Sequence, residues 1–280
     1  MLAFSSQGVF SKKYREGIRR PVYWEYIFED SMNVIANAPH VAARIYRNVF
    51  KGGEQVVLKN NNDLVGNFVN LLGFNDPQFM EFMRLYVLLL SDSGGDIGGY
   101  VSHLVGSTLS DPYLCYSAAL NSLASPLYGN ASAKFMKLLQ LIESQLPPNE
   151  ISSKPVLTNW AQNYIQEGNL VPGFGHSYLK GDDPRVVMFC DYARKHLPQN
   201  MKFKLATQLH QIVPDLLRKT KNTNNPQPNI ASINGLILHH YGLTEETFYP
   251  VVLGLTQSIG VLSNLILSRH YELPIIYPIS

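Results

Sequence analysis

Residues 249–268 contain no charged side chain, and this stretch limits the possible folds more than any other feature of the chain. It is long enough to span a lipid bilayer as a helix. It also lacks an asymmetric basic flank and contains polar residues, among them Thr256, Gln257, Ser258, Ser263 and Asn264. The sequence therefore predicts a helix buried on all sides within a large helical protein, and no membrane span.

Helical patterns continue along the rest of the chain. Residues 22–37 and 40–50 each place apolar side chains at helical spacing. Asp76-Pro77, Asp111-Pro112 and Asp183-Pro184 each set an N-cap acceptor directly before a proline whose φ suits the first helical turn. Alternating strand patterns are absent over any useful length. We therefore expect an all-α fold.

Composition excludes several classes of function. The 280 residues are 45% hydrophobic and 16% charged, which allows one sizeable core or two lobes. The net charge is +2 and the basic residues are scattered, so no nucleic-acid partner is expected. Cys115 and Cys190 lie in apolar helical patterns away from any histidine at ligand spacing, which predicts buried thiols in a reducing compartment and no metal site.

The segment LVPGFGHSYLKGDDPR, residues 170–185, is a candidate binding loop. It joins a turn rich in Pro and Gly to His176 and Arg185. Such a loop can present backbone N–H groups, an imidazole and a guanidinium to a small carboxylate. The alternative is a turn between two helices with a capping histidine.

The first twenty residues also have two interpretations. They contain Ser, Lys and Arg with a single acid, Glu16, as a transit peptide does. They also suit the first turn and helix of the fold, and the resemblance described next favours that second interpretation.

Several segments together resemble eukaryotic, mitochondrial-type citrate synthase, in the order and spacing of that family. They include FMRLYVLLLSDS, YVSHLVGSTLSDPYLCYSAALNSLASPLYG, VPGFGHSYLKGDDPR and LGLTQSIGVLSNLILSRHYELP, with YREGIRRPVYWEYIFEDSMNVIA and AARIYRNVF nearer the start. The resemblance covers essentially the whole chain, which has no counterpart of the family's N-terminal third. We expect a truncated relative that diverges at the active site.

The resemblance implies a multi-helix fold with a large domain and a smaller inserted helical domain. Mapped onto this chain, residues 1–128 and 236–280 form the large domain, and residues 129–235 form the small one. Members of the family are acyltransferases that close over oxaloacetate and acetyl-CoA. An aspartate base and an enol-stabilising histidine act there together, and a second histidine and several arginines hold oxaloacetate.

Most of the family's functional positions are occupied by other residues in this chain. The enol-stabilising histidine falls on Tyr128 and the catalytic aspartate on Ala231. His176 and Arg185 remain as a vestigial substrate-binding pair. Further histidines and substrate arginines of the family fall on Leu90, Ser93, Tyr100, Gln257 and Tyr277.

The family's CoA-binding loop corresponds to residues that contribute mainly backbone groups here. These are Leu170, Val171, Pro172, Gly173, Phe174 and Gly175, with Lys180 where the family places an arginine near the CoA phosphates. Lysine keeps the charge but not the planar fork of arginine. The resemblance therefore implies weak CoA binding at most, and no other cofactor.

These replacements leave three functions open. The chain is a catalytically inactive homologue with a structural role inside an assembly, an enzyme with altered chemistry on an acyl-CoA or dicarboxylate, or a regulatory partner of an active citrate synthase. The resemblance implies a mitochondrial location, with a cytoskeletal or cytosolic assembly as the alternative. It also implies a homodimer, and we expect its interface to centre on Leu104, Leu109, Tyr113, Tyr116 and Leu120.

Overall fold

The computed structural model confirms the all-α fold class. It describes residues 5–54, 56–58, 62–91, 95–176, 179–221 and 225–277. Within these ranges thirteen α-helices can be bounded and no β-strand occurs, apart from one isolated bridge between Phe174 and Pro228. Ser93 lies outside the described residues.

The chain divides into two compact units. Unit 1 comprises residues 1–128 and 250–280, and unit 2 comprises Gly129–Tyr249. Unit 2 runs past the predicted boundary at residue 235. Within this segment the Tyr249 hydroxyl lies 3.3 and 3.0 Å from the carbonyl oxygens of Gly235 and Leu243, so both ends of the segment contact each other inside unit 2.

Unit 1 contains six helices from the first part of the chain and nearly all of a seventh from its end. They are α1 (Val9–Arg15), α2 (Tyr23–Phe50), α3 (Leu64–Leu72), α4 (Pro77–Leu90), α5 (Ile97–Ser107), α6 (Pro112–Leu123) and α13 (Tyr249–His270), whose first residue belongs to unit 2. Buried side chains of α1, α2, α6 and α13 form one apolar core, which includes Phe10, Ile27, Tyr116 and Leu262.

Aspartate caps begin two helices of unit 1 as predicted. Asp76 accepts from the N–H of Gln78 at 2.7 Å, and Asp111 accepts from that of Leu114 at 3.0 Å, directly before prolines at the first helical position. Asp63 and Asp96 cap α3 and α5 in the same way. Each carboxylate satisfies backbone donors that a helix start would otherwise leave without partners.

Helix α13 is less enclosed than predicted. Val252, Val261 and Leu262 are buried, but Ser263, Leu267 and His270 form an exposed row along its final turns. The helix is long and apolar enough to cross a membrane, and it is the one such helix in the described part of the chain. Its buried face packs in the core of unit 1, as expected of a core helix in a helical protein.

The predicted dimer patch is wrong at Tyr116, whereas Leu104 is exposed. Tyr116 is buried within unit 1, where its hydroxyl donates to the carbonyl oxygen of Gly254 at 2.9 Å. Tyr113 and Leu120 pack against the same core. These side chains already have partners within their own unit, so the apolar pattern of α6 reflects core packing.

Unit 2 contains six helices. They are α7 (Ala131–Gln145), α8 (Pro148–Ile151), α9 (Lys154–Gln166), α10 (Pro184–His196), α11 (Met201–Lys221) and α12 (Asn234–His240). Helix α9 packs on α11, and a short 3₁₀ helix, Ile230–Ser232, packs on α7. Buried side chains such as Phe135, Leu157 and Phe189 give this unit its own apolar interior.

Candidate functional site

The candidate loop of residues 170–185 lies in unit 2 and pairs with the segment that precedes the 3₁₀ helix. Gly175 donates its N–H to the carbonyl oxygen of Gln227 at 2.9 Å, and Asn229 donates its N–H to that of Gly173 at 2.9 Å. The Asn229 side chain also donates to the carbonyl oxygen of Gly175 at 3.1 Å. We call this pairing the loop seam. It brings two chain segments about fifty residues apart into register.

Asn225 holds the next part of the loop. Its backbone carbonyl accepts from the N–H of His176 at 3.2 Å, and its buried side-chain amide donates to the carbonyl oxygens of Leu179 and Gly181 at 2.6 and 2.9 Å. One asparagine therefore satisfies backbone groups on both sides of the turn. Residues 177 and 178 lie outside the described part of the loop.

Gly173 allows the loop to approach the 3₁₀ helix closely. Its φ is +81°, and a Cβ at this position would lie 2.8 Å from Phe135 and 2.9 Å from the Cβ of Ser232. Only glycine combines this left-handed backbone with so close a contact. The glycine thus sets the candidate loop directly against the residue that follows Ala231.

His176 and Arg185 meet at a third residue, Asp183. The Arg185 guanidinium donates to both carboxylate oxygens of Asp183, from Nε at 2.9 and 3.2 Å and from Nη2 at 2.7 Å. His176 Nε2 lies 3.6 Å from Asp183 Oδ2. The carboxylate is fully buried, and it also caps α10 by accepting from the Arg185 N–H at 3.0 Å. We call these three residues the Asp183 cluster.

The Asp183 cluster alters the interpretation of the predicted substrate pair. The structure does bring His176 and Arg185 together, but on a carboxylate of the protein itself. From the sequence, Asp183 was expected only to cap a helix, because an Asp-Pro pair explains a helix start without any tertiary partner. A bidentate arginine–carboxylate pair is a strong, directional interaction, so much of the guanidinium's hydrogen-bonding capacity is already used.

Ala231 lies at the middle of the short 3₁₀ helix in unit 2. It is buried, and its N–H donates to the Asn229 side-chain oxygen at 3.0 Å. Its methyl group can neither accept nor donate a proton. Tyr128, at the end of unit 1, is partly exposed.

His210 is a buried histidine of unit 2 that the sequence analysis did not single out. Its ring lies edge-on to Phe174, with centroids 5.9 Å apart, and hydrogen bonds to the backbone of Ser232. Burial lowers the pKa of His210 to about 4, so the imidazole is neutral at pH 7. Its Nε2 is buried without a hydrogen-bond partner among the described residues.

The residues predicted to bind CoA differ in exposure. Leu170 is 79% exposed and Lys180 is also exposed, while Gly173 is buried and Phe174 packs near Phe135. The carbonyl oxygens of Gly173 and Gly175 and the N–H of Gly175 are already bound within the loop seam. Fewer backbone groups therefore remain to recognise a ligand. Val171 and Pro172 are half-buried.

The remaining family positions lie in unit 1. Gln257 is buried, and its amide donates to the Asp96 carboxylate, while its Oε1 has no hydrogen-bond partner among the described residues. Leu90 is buried, and Tyr100 and Tyr277 are exposed. A neutral amide thus lies at the position where the resemblance places a substrate arginine, and it is bound to an aspartate of the protein.

Across the described ranges there is no group of three or more His, Cys, Asp or Glu side chains arranged to hold a metal ion. Burial raises the pKa of the Cys115 thiol to about 12 and that of the Cys190 thiol to about 11. Both thiols are therefore protonated at neutral pH, and neither is a nucleophile or a metal ligand in this state.

Comparison with known proteins gives consistent results. Residues 2–278 match the family model described as "Citrate synthase, C-terminal domain". Mitochondrial citrate synthases of Kajikia audax and Xiphias gladius are each 41% identical over 278 residues, which is 99% of this chain and 59% of theirs. The chain therefore spans only part of the length of these relatives.

Two solved structures share the fold. Citrate synthase from Thermotoga maritima superposes with a TM-score of 0.77 at 23% identity, over 93% of this chain and 69% of that one. The ternary complex of carboxymethyl coenzyme A and oxaloacetate with citrate synthase from Thermoplasma acidophilum gives a TM-score of 0.75 at 21% identity, over 89% and 64%.

Proposed function

Because the chain belongs to the citrate synthase family, we propose that it is a catalytically inactive member with a structural role, as a homodimer or as a subunit of a larger assembly. The observation that carries this proposal is Ala231. The resemblance places the family's catalytic base there, and an alanine has no group that can accept a proton from a carbon acid.

Asp183 of the candidate loop does not replace that base. Asp183 is buried and bound to Arg185, with His176 close by, so its oxygens are occupied by the protein. Removing one preorganised catalytic group typically lowers a rate by about 10² to 10³. Here Tyr128 also stands at the position of the enol-stabilising histidine, and losses within one catalytic unit leave positioning without chemistry.

Substrate binding is expected to be weak for the same reason. An arginine that already makes a bidentate pair with Asp183 has fewer N–H donors and less uncompensated charge to offer an incoming carboxylate. Gln257 and Tyr277 supply no positive charge. We expect oxaloacetate to bind no more tightly than about millimolar, equivalent to roughly −4 kcal/mol.

Weak CoA binding remains part of the proposal. The residues concerned are those of the loop at 170–175 and Lys180, whose exposed ammonium could contact a phosphate. Calorimetry with CoA, comparing the wild type with Lys180→Ala, tests this point. Affinity that is unchanged in the variant would remove Lys180 from the proposed site.

A thiol-release assay with acetyl-CoA and oxaloacetate tests the absence of activity. An active citrate synthase under the same conditions is the positive control, and circular dichroism establishes that the protein is folded. We expect the wild type to release thiol only at the level of the buffer blank. We expect the same of Ala231→Asp, which restores the carboxylate but not the other catalytic groups. Turnover about a hundredfold above the blank by the wild type would contradict the proposal.

The structural role is tested by light scattering coupled to size-exclusion chromatography. A homodimer alone supports the proposal, while assembly only with an added active citrate synthase would favour a regulatory partner instead. The relatives are named mitochondrial citrate synthases, and we propose the same compartment for this chain. Localisation to a cytosolic or cytoskeletal assembly would instead support the alternative location.

A further inference from the structure

Unit 1 contains a cavity of about 300 Å³ that the proposed function does not use. It lies between α5, the final turns of α13 and the segment that follows α13. The residues that shape it are Tyr100, His103, Asn264, Leu267, Ser268 and Tyr271. Its volume is at the lower end of the range found for small-molecule sites.

Hydrogen bonding inside the cavity assigns the tautomer of His103. The Ser268 hydroxyl donates its single proton to the carbonyl oxygen of Asn264 at 2.8 Å, and its Oγ lies 3.0 Å from His103 Nδ1. With that proton donated to Asn264, we assign Ser268 as the acceptor from Nδ1–H. In that tautomer the lone pair of the imidazole is on Nε2, which makes no hydrogen bond with another described residue and can accept one from a ligand.

The walls of the cavity are aromatic and uncharged. Tyr100 is 61% exposed and Tyr271 is 66% exposed, and Leu267 adds an exposed apolar side chain. Among the described residues that line the cavity there is no Asp, Glu, Lys or Arg. Such a surface offers dispersion contacts and ring faces but no counter-ion, so it favours a neutral planar molecule over a charged one.

We propose that this cavity binds a small, uncharged aromatic molecule that carries one N–H or O–H donor, which donates to His103 Nε2 between the rings of Tyr100 and Tyr271. The resemblance described above places a histidine at the position of Tyr100. Tyr100 is therefore a point at which this chain departs from the family pattern, and the proposal does not depend on the absence of catalysis.

Indole, N-methylindole and indole carboxylate form a matched set of probes. Indole has the flat ring and the donor, N-methylindole lacks the donor, and indole carboxylate adds a charge. Saturation-transfer NMR and calorimetry on the full chain should give a dissociation constant on the order of 1 mM for indole. Removal of the donor should weaken binding about threefold to tenfold. The carboxylate should bind more weakly than indole.

Two variants locate the site. Leu267→Trp fills the cavity from an exposed position and should abolish binding of indole. His103→Phe keeps a ring but removes the acceptor, so indole and N-methylindole should then bind equally. Val49→Ala, at an exposed residue of α2 that does not line the cavity, is the control and should leave all three affinities unchanged. Thermal melting establishes that each variant is folded.

Three results would overturn the proposal. One is the absence of saturation transfer to indole in the wild type when the indole concentration is several times the expected dissociation constant. Another is binding that survives Leu267→Trp, which would place the molecule elsewhere. The third is a preference for indole over N-methylindole that persists in His103→Phe, which would show that the donor does not meet His103.

Discussion

Replacement of Asp183 should destabilise unit 2 specifically. Its buried carboxylate accepts from the Arg185 guanidinium, caps α10 and lies 3.6 Å from His176 Nε2. Asp183→Ala removes all of these interactions together. Asp183→Asn keeps a good N-cap acceptor and nearly the same shape but removes the negative charge.

The expected magnitudes follow from burial. Breaking a buried ion pair from one side costs about 3–5 kcal/mol when the remaining charge is left without compensation. The Arg185 side chain is 25% exposed and can regain water, which reduces that cost. With loss of the cap added at about 1 kcal/mol, we expect Asp183→Ala to lower the free energy of unfolding by about 2–4 kcal/mol. Asp183→Asn should lower it by about 1–2 kcal/mol.

Trp160 in α9 reports on the same unit. In a Trp24→Phe background, urea unfolding followed by tryptophan fluorescence therefore measures unit 2 without a signal from unit 1. A double-mutant cycle with Arg185→Ala should give a coupling energy of about 1–3 kcal/mol. A coupling near zero, or equal stabilities for Asp183→Ala and Asp183→Asn, would refute the reasoning about the Asp183 cluster.

Three further changes test other parts of the structure. Gly173→Ala should destabilise unit 2 by about 2 kcal/mol more than Gly168→Ala, because both glycines have positive φ but only the first lacks space for a Cβ; similar urea midpoints would contradict this. Burial raises the pKa of Asp30 above its value in the unfolded chain, so the folded state binds this proton more tightly. The free energy of unfolding should therefore fall as the pH rises from below the unfolded pKa to above the folded pKa. In Asp30→Asn, melting temperatures measured across acidic pH should no longer show this decrease with rising pH. Cys115 and Cys190 should resist Ellman's reagent at about pH 8 until denaturant is added.

The features that local chemistry determines could be predicted from the sequence. Each Asp-Pro pair begins a helix, at Pro77, Pro112 and Pro184, because the cap and the fixed φ act within a few residues. The loop at 170–185 also follows from the sequence, since proline fixes φ and glycine permits the left-handed backbone that its turns require.

The features that depend on distant partners could not be predicted in this way. The apolar pattern of α6 was interpreted as a dimer surface, yet Tyr116 donates to Gly254, which is far away in sequence. The Asp183–Arg185 pair, in contrast, joins residues only two positions apart, and it was missed because an Asp-Pro pair already explains a helix start. The side chain that covers a residue in the fold is decided by packing between elements and not by spacing within one.

The loop seam also has a kinetic consequence. It closes a segment of about fifty residues that contains α10 and α11, and the length-dependent part of that closure entropy is about 3.5 kcal/mol. The few hydrogen bonds of the loop seam offset this free-energy cost only after both helices are in place. We therefore expect the loop seam to form after the transition state for folding. Asn229→Ala should therefore accelerate unfolding and leave the folding rate nearly unchanged, whereas slower folding would place the seam in the nucleus. The candidate loop would thus be among the last parts of unit 2 to become ordered during folding and among the first to open.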